Sequence, residues 1–162
     1  YINAYKAVGA NGVLVAEPLA GLLSPSLEEE FSCDYMKKIV EATQTDDFLV
    51  CYHNCGNCTV QQIESITQNG CRVLHFGNAI DMADMMPKVP ENIIAMGNLD
   101  PAGLFRNGTP ETVKAATVEL MEKCASYPNF VPSSGCDIPP LSGWDNIMAF
   151  FDGVNEFYAK NN

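Results

Sequence analysis

The octapeptide Cys-Tyr-His-Asn-Cys-Gly-Asn-Cys at residues 51–58 closes the apolar run that begins at residue 48. A short apolar run bounded by turn residues predicts a buried strand, and this one leads into a loop with an imidazole and two thiols. A second apolar stretch, at residues 129–132, leads into Ser-Ser-Gly-Cys-Asp at residues 133–137. We therefore expect His53, Cys55 and Cys136 to meet at one end of a sheet.

Apolar strands and amphipathic helices alternate regularly outward from this stretch. Strands that are apolar throughout are buried on both faces, which is typical of a parallel sheet in an α/β fold. The five predicted strands lie at residues 13–16, 48–52, 71–76, 92–97 and 130–133. The predicted helices between and after them lie at residues 26–43, 59–69, 81–86, 109–126 and 144–158, with Ser26, Thr59 and Thr109 as candidate N-caps.

Polar residues follow the predicted strands at their carboxyl ends. Both open α/β sheets and (β/α)8 barrels have their active sites at that end. These residues are Glu17, His53, Cys55, Asn78, Asn98, Asp100, Cys136 and Asp137. No glycine fingerprint of a dinucleotide site or a P-loop follows any of the strands, which argues against nucleotide binding.

One imidazole and two thiols suit zinc better than magnesium or calcium, and a catalytic zinc site keeps three protein ligands and one open position. Gly135 permits a close backbone approach beside Cys136. The alternative is a buried cysteine pair beside a loop histidine, and Cys51 or Cys58 could compete as ligands.

Other polar residues have more than one possible role. Glu17 is either a fourth, exchangeable ligand, a residue that orients a ligand, or a solvated carboxylate. Asp100 lines the pocket or caps its own loop, and Asp81 reaches the pocket or caps a short helix. His75 lies within a strand, which favours a core histidine over a ligand.

Composition excludes several classes of function. The chain has 162 residues and a net charge of −11, which argues against nucleic acid or an anionic membrane as partner. No apolar run approaches the roughly 20 residues of a membrane helix. The seven cysteines are an odd number without the density of a small secreted scaffold, so we predict a reducing, cytoplasmic location.

Four motifs, in this order, resemble the uroporphyrinogen decarboxylase superfamily. The chain is most similar to its zinc-dependent branch, the corrinoid:coenzyme M methyltransferases. The motifs are His-Asn-Cys-Gly at 53–56, Gly-Asn-Leu-Asp-Pro at 97–101, Gly-Thr-Pro-Glu at 108–111 and Gly-Cys-Asp-Ile-Pro-Pro at 135–140. The decarboxylases of the superfamily have a Gly-His-Gly type sequence where this chain has Gly-Cys-Asp, and they need no metal. Cys136 therefore favours the methyltransferase branch.

The resemblance implies a (β/α)8 barrel in which His53, Cys55 and Cys136 bind zinc and serve catalysis. It implies methyl transfer between a corrinoid (methylcobamide) on a partner protein and a small thiol such as coenzyme M. Glu17, Asn98 and Asp100 are the candidate residues for binding a ligand beside the metal. Two alternatives remain: a decarboxylase of a tetrapyrrole carboxylate, and a non-catalytic module that binds a corrinoid or tetrapyrrole.

The count of strands bears on domain organisation. About five strand–helix units are predicted, whereas a (β/α)8 barrel has eight and typically about 250 residues. We therefore expect residues 1–162 to form a single partial barrel, the C-terminal part, without the N-terminal units. Its two edge strands would lack one neighbour each, which predicts self-association. The pocket would lack the wall that the absent units supply, which predicts poor catalysis by this chain alone.

Overall fold

The computed structural model describes residues 1–161 and contains one sheet of five parallel strands in the order β1-β2-β3-β4-β5. The strands are β1 Gly12–Ala16, β2 Leu49–Asn54, β3 Val73–Phe76, β4 Ile94–Leu99 and β5 Phe130–Ser134. Each strand pairs with the next one along the chain. The prediction of five parallel strands in an α/β fold is confirmed.

Helices connect the strands, as parallel pairing requires. The α-helices are α1 Ile2–Ala7, α2 Pro25–Glu28, α3 Asp34–Thr43, α4 Thr59–Ile66, α5 Met82–Met85, α6 Pro110–Cys124 and α7 Trp144–Asn161. Short 3₁₀ turns cover Ala20–Leu22 and Met86–Lys88, and π-helical turns cover Glu29–Cys33 and Pro101–Arg106. The predicted domain extends to residue 162, which lies outside the described residues.

Side-chain capping determines where several helices begin. Thr109 and Thr112 form a reciprocal capping box at the start of α6, as the sequence predicts for Thr109. The helix predicted from Ser26 instead begins at Pro25, because the Ser24 hydroxyl accepts from the Leu27 N–H and proline suits the first helical position. Asp81 caps α5 by accepting from the Ala83 N–H at 2.8 Å.

The two faces of the sheet differ in how they are covered. Alternate residues point to opposite faces, and on one face Val50, Tyr52 and Leu74 are fully buried in the main core with residues of α3, α4 and α6. The other face carries His53 and His75, which are paired in register, and Leu14, which remains 53% exposed. The site therefore lies on the face that the helices leave open.

No helix within residues 1–161 combines the length and the apolar character that crossing a membrane requires.

Candidate metal centre

Three donor side chains meet at the carboxyl edge of the sheet. His53 is the next-to-last residue of β2, Cys55 follows that strand directly, and Cys136 lies two residues beyond β5. Cys136 Sγ is 3.6 Å from His53 Nε2. In a flat sheet β2 and β5 would be about 14 Å apart, three strand spacings. The contact therefore requires the sheet to curve toward the face that carries His53.

The His53 nitrogen and the two thiol sulfurs lie within 4.8 Å of one another, and they are the one group of three candidate metal ligands found in residues 1–161. The sequence predicts this set of three. His53 is 4% exposed, whereas the two thiols are partly exposed. The arrangement leaves one side of the donors open to a ligand.

A hydrogen bond fixes the tautomer of His53. Its Nδ1 lies 3.2 Å from the carbonyl oxygen of His75, which can only accept, so Nδ1 carries the proton and Nε2 carries a lone pair. That lone pair faces the Cys136 thiol. Burial, followed by the neighbouring His75, lowers the pKa of His53 and keeps the ring neutral. A neutral imidazole with a free Nε2 is the form that binds metals.

Electrostatics around the thiols favour a cation. Burial and the adjacent Cys136 thiol raise the pKa of Cys55, because a second negative charge so close is unfavourable. A divalent cation between the sulfurs reverses this preference, since a coordinating thiol is deprotonated. The donor set and the fixed tautomer thus fit a zinc ion with three protein ligands.

A cavity of about 290 Å³ adjoins the donors. Its apolar wall is formed by β1 and the segment after it, with Leu14, Ala16 and Pro18. His75 and Asp137 line the cavity beside the three donors. A small ligand that enters this cavity would reach the open side of the donor set.

Two close backbone contacts position the ligand loops. A Cβ on Gly135 would lie 2.6 Å from the Asn78 nitrogen, so the loop that carries Cys136 approaches the loop after β3 only with glycine there. Gly21 and Gly56 likewise contact each other with no room for a side chain on either. The close approach that the sequence predicts at Gly135 is confirmed.

The three other predicted binding residues lie outside the donor group and have partners within the protein. The Glu17 carboxylate accepts from the Ser32 hydroxyl, and the backbone N–H of Glu17 donates to the His53 carbonyl at 3.0 Å. The Asn98 amide donates to the carbonyls of Gly77 and Ile80, at 3.1 and 2.6 Å. Their role in ligand binding stays a prediction.

Asp100 has the capping role that the sequence left open. One carboxylate oxygen accepts from the N–H groups of Ala102 and Gly103, at 2.9 Å each, at the start of the π-helical turn Pro101–Arg106. A role in lining the pocket also stays a prediction for this residue.

His75 is the residue that sequence reasoning underestimated. It lines the cavity, its ring lies 4.7 Å from the ring of His53, and its carbonyl fixes the His53 tautomer. The predicted second strand ends at residue 52 and leaves His53 in a loop, whereas in the structure both histidines stand one residue before the end of their strands. Equivalent positions in neighbouring parallel strands point to the same face of the sheet.

Comparisons with known proteins identify the family from the sequence and the fold from a solved structure. The family profile described as "Uroporphyrinogen decarboxylase (URO-D)" matches residues 1–157. A uroporphyrinogen decarboxylase of Coxiella burnetii is 30% identical over 166 residues, which cover 99% of this chain and 45% of the relative. The methylcobamide:CoM methyltransferase MtbA of Methanosarcina mazei is 32% identical over 159 residues, which cover 97% of this chain and 45% of that protein.

A solved methyltransferase from Methanosarcina mazei has the same fold, with a TM-score of 0.83 at 22% identity. The match covers 98% of this chain and 45% of that structure, so the five-stranded sheet corresponds to part of a uroporphyrinogen decarboxylase-like (β/α)8 barrel. The chain spans 45% of the length of the curated relatives named above. Since the profile matches nearly all of it, the chain belongs to the uroporphyrinogen decarboxylase family.

Proposed function

We propose that the chain carries the metal centre of a zinc-dependent methyltransferase. The enzyme would move a methyl group between a corrinoid (methylcobamide) protein and a small thiol such as coenzyme M. The observation that carries the proposal is the group formed by His53, Cys55 and Cys136, whose donor atoms lie within 4.8 Å of one another beside a cavity. The methylcobamide:CoM methyltransferase among the relatives supports the choice of substrates.

A zinc ion bound there would act as a Lewis acid that lowers the pKa of a substrate thiol. His53 would offer its neutral Nε2, held in position by the bond from Nδ1 to the His75 carbonyl. The two cysteines would bind as thiolates. The wall formed by Leu14, Ala16 and Pro18 would limit the access of water to the thiol.

We further propose roles for the polar residues around this centre. Glu17, whose backbone bonds to that of His53, would orient the bound ligand or enter as a fourth, exchangeable ligand. Asn98 and Asp100 would act from the same edge of the sheet, by holding the loops after β3 and β4. The seven free cysteines support the proposal that the protein works in the reducing cytoplasm.

A decarboxylase of a tetrapyrrole carboxylate is the second candidate, because uroporphyrinogen decarboxylases are 30% and 31% identical to this chain. Identity does not separate the two candidates, since the MtbA relative is 32% identical. The thiol and imidazole donors favour the methyltransferase, because tetrapyrrole decarboxylation has no use for a thiolate metal site. A non-catalytic corrinoid-binding module is the third alternative.

Metal content and two activity assays test these candidates. We expect the purified chain to hold about one zinc per site, by elemental analysis. We also expect thiol-dependent loss of methyl from methylcobalamin, followed by absorbance, to exceed any consumption of uroporphyrinogen. Zinc-loaded protein that decarboxylates uroporphyrinogen and ignores methylcobalamin would contradict the proposal. Corrinoid binding without methyl transfer in any preparation would favour the third alternative.

We also propose that residues 1–162 act as a single partial barrel that self-associates. Within the described residues β1 and β5 each have one neighbouring strand. Large apolar side chains are exposed in the segments that follow the two edge strands, including Leu19 at 75% and Trp144 at 76%. Light scattering after size exclusion should give a mass above 17.6 kDa, and a monomer at high concentration would contradict this proposal.

A further inference from the structure

His75 contacts both halves of the candidate metal centre. Its backbone carbonyl accepts from His53 Nδ1 at 3.2 Å, on the strand to one side. Its ring Nε2 lies 2.7 Å from the carbonyl oxygen of Ser134, the last residue of β5 and two residues before Cys136. His75 of β3 thus bonds to His53 on β2 and to the end of β5, the strand that leads to Cys136.

The partners determine the tautomer of His75. The Ser134 carbonyl can only accept, so Nε2 of His75 carries a proton, and in the neutral ring the lone pair is then on Nδ1. His75 is 7% exposed as a residue, and its buried Nδ1 has no hydrogen-bond partner among residues 1–161. A residue that only filled space here would be better apolar, because it would leave no buried polar atom unsatisfied.

The bond from His75 to Ser134 also crosses the sheet. β4 lies between β3 and β5, so the ring reaches over its neighbour on the concave face to contact the far strand. The Ser133 hydroxyl lies 3.4 Å from the same nitrogen, at the limit of a hydrogen bond. The short contact to Ser134 therefore ties the end of β5 to β3 in addition to its backbone pairing with β4.

We propose that His75 is the positioning residue of the metal centre. Its backbone sets the tautomer of His53, and its ring N–H holds the end of β5 so that Cys136 reaches the site. This inference rests on the proposed function, since it takes the three donors to be zinc ligands. Loss of an outer-shell partner of a metal ligand typically weakens metal binding 10- to 100-fold.

Three variants of the full chain test the ring's role. His75→Leu removes the N–H donor, whereas His75→Gln keeps a donor within reach of Ser134. Ser133→Ala is the matched control, because it alters the same corner and leaves the Ser134 carbonyl in place. We expect zinc affinity, measured by chelator competition, to fall about 10-fold in His75→Leu, the lower end of the range for a direct outer-shell partner, because the ring acts on Cys136 through Ser134. The other two variants should stay within about 3-fold of wild type.

Cobalt substitution adds a readout that a purely structural role would not move. With Co²⁺ in place of zinc, the thiolate-to-metal absorption reports whether both sulfurs coordinate. We expect this absorption to weaken in His75→Leu and to return in His75→Gln. Wild-type affinity and spectrum in His75→Leu would overturn the inference, and so would a His75→Gln variant as weak as His75→Leu.

A nuclear magnetic resonance measurement on wild type covers the case in which His75→Leu does not fold. The chain has two histidines, so long-range ¹H–¹⁵N spectra give two ring patterns, which His75→Gln assigns. We expect the Nε2–H tautomer for His75 and the Nδ1–H tautomer for His53. An Nδ1–H tautomer at His75 would overturn the inference. Wild-type protein that binds neither zinc nor cobalt would instead overturn the proposed function.

Discussion

The thiols at the carboxyl edge of the sheet and the thiols in the core have the same chemistry and opposite surroundings. Cys55 and Cys136 are partly exposed and share a site with an imidazole nitrogen. Cys71 and Cys124 are 2% and 1% exposed and belong to the main hydrophobic cluster. Convergence of donors at an open edge, and not the residue type, thus distinguishes the candidate metal ligands from the other cysteines.

Burial has a measurable consequence for the core thiols. It raises the pKa of Cys71 to about 12 and the pKa of Cys124 to about 11. Such thiols remain protonated at neutral pH and act as small apolar side chains. At the edge, the sulfurs lie beside the lone pair of His53 Nε2, where a cation would stabilise their thiolates. Four experiments test this difference between the edge thiols and the core thiols.

The largest effect is expected on metal binding. Cys136→Ser should weaken zinc binding by more than the roughly 100-fold upper range for loss of an outer-shell partner, because it removes a ligand. Cys124→Ser is the matched control and should keep its zinc. Chelator competition and elemental analysis measure both variants. Stoichiometric zinc in Cys136→Ser would remove this residue from the site.

Thiol labelling should separate the two groups next. In the metal-free chain, Cys55 and Cys136 should react with iodoacetamide at least about 10-fold faster than Cys71, because access and thiolate fraction control the rate. Added zinc should protect the first two residues and leave the third unchanged. Peptide mapping by mass spectrometry follows each residue. Equal rates at Cys136 and Cys71 would contradict the contrast.

Truncation of a core thiol should cost stability without touching the site. Cys71→Ala should lower the free energy of unfolding by about 1 to 2 kcal/mol, since it leaves a small cavity under β3. Zinc affinity should equal that of wild type. Urea unfolding followed by circular dichroism gives the first quantity, and chelator competition gives the second. A parallel loss of zinc would show that the core and the edge are coupled.

The smallest effect concerns pH. The pKa of Cys71 rises from 9.0 to about 12 on folding, so the unfolded chain loses its thiol proton first. Stability contributed by this group is present below pH 9 and falls as pH rises from there toward 12. At pH 10 wild type should lose about 1 kcal/mol that Cys71→Ala does not lose. Urea unfolding at pH 7 and pH 10 gives the free energy of unfolding of wild type and of Cys71→Ala. If the two proteins differ by the same free energy at both pH values, the prediction is wrong.

Much of the fold was accessible from local pattern. Continuous apolar runs predict the five strands, and the residues after two of them predict the donor group of His53, Cys55 and Cys136. Strand limits were less accessible: the fourth strand runs over Ile94–Leu99, two residues later than predicted. The Ile94 N–H donates to the Arg72 carbonyl at 3.0 Å, whereas the Ile93 N–H bonds within a turn to the Pro90 carbonyl, so pairing with the neighbouring strand and not apolar character defines where this strand begins.

Side-chain directions could not be predicted, because they depend on segments that are distant in the chain. Glu17 follows β1 at the functional edge, yet its carboxylate bonds to Ser32, fifteen residues later in the π-helical turn. His75 bonds to Ser134, which is 59 residues away. Neither contact leaves a trace in local periodicity. The equivalent positions of the two histidines follow only from the observed strand limits.

The contact between Gly21 and Gly56 has a consequence for how this protein can vary. One glycine lies in the 3₁₀ turn after β1 and the other directly follows Cys55. The Cys58 N–H also donates to the Gly21 carbonyl at 3.3 Å, which joins the two segments twice. A side chain at position 21 would displace the segment that carries Cys55, although Cys55 lies 34 residues later in the sequence. The substitutions that the loop after β2, with Cys55 and Gly56, can accept thus depend partly on Gly21 in the preceding β/α unit. A library that randomises only this loop would miss that constraint.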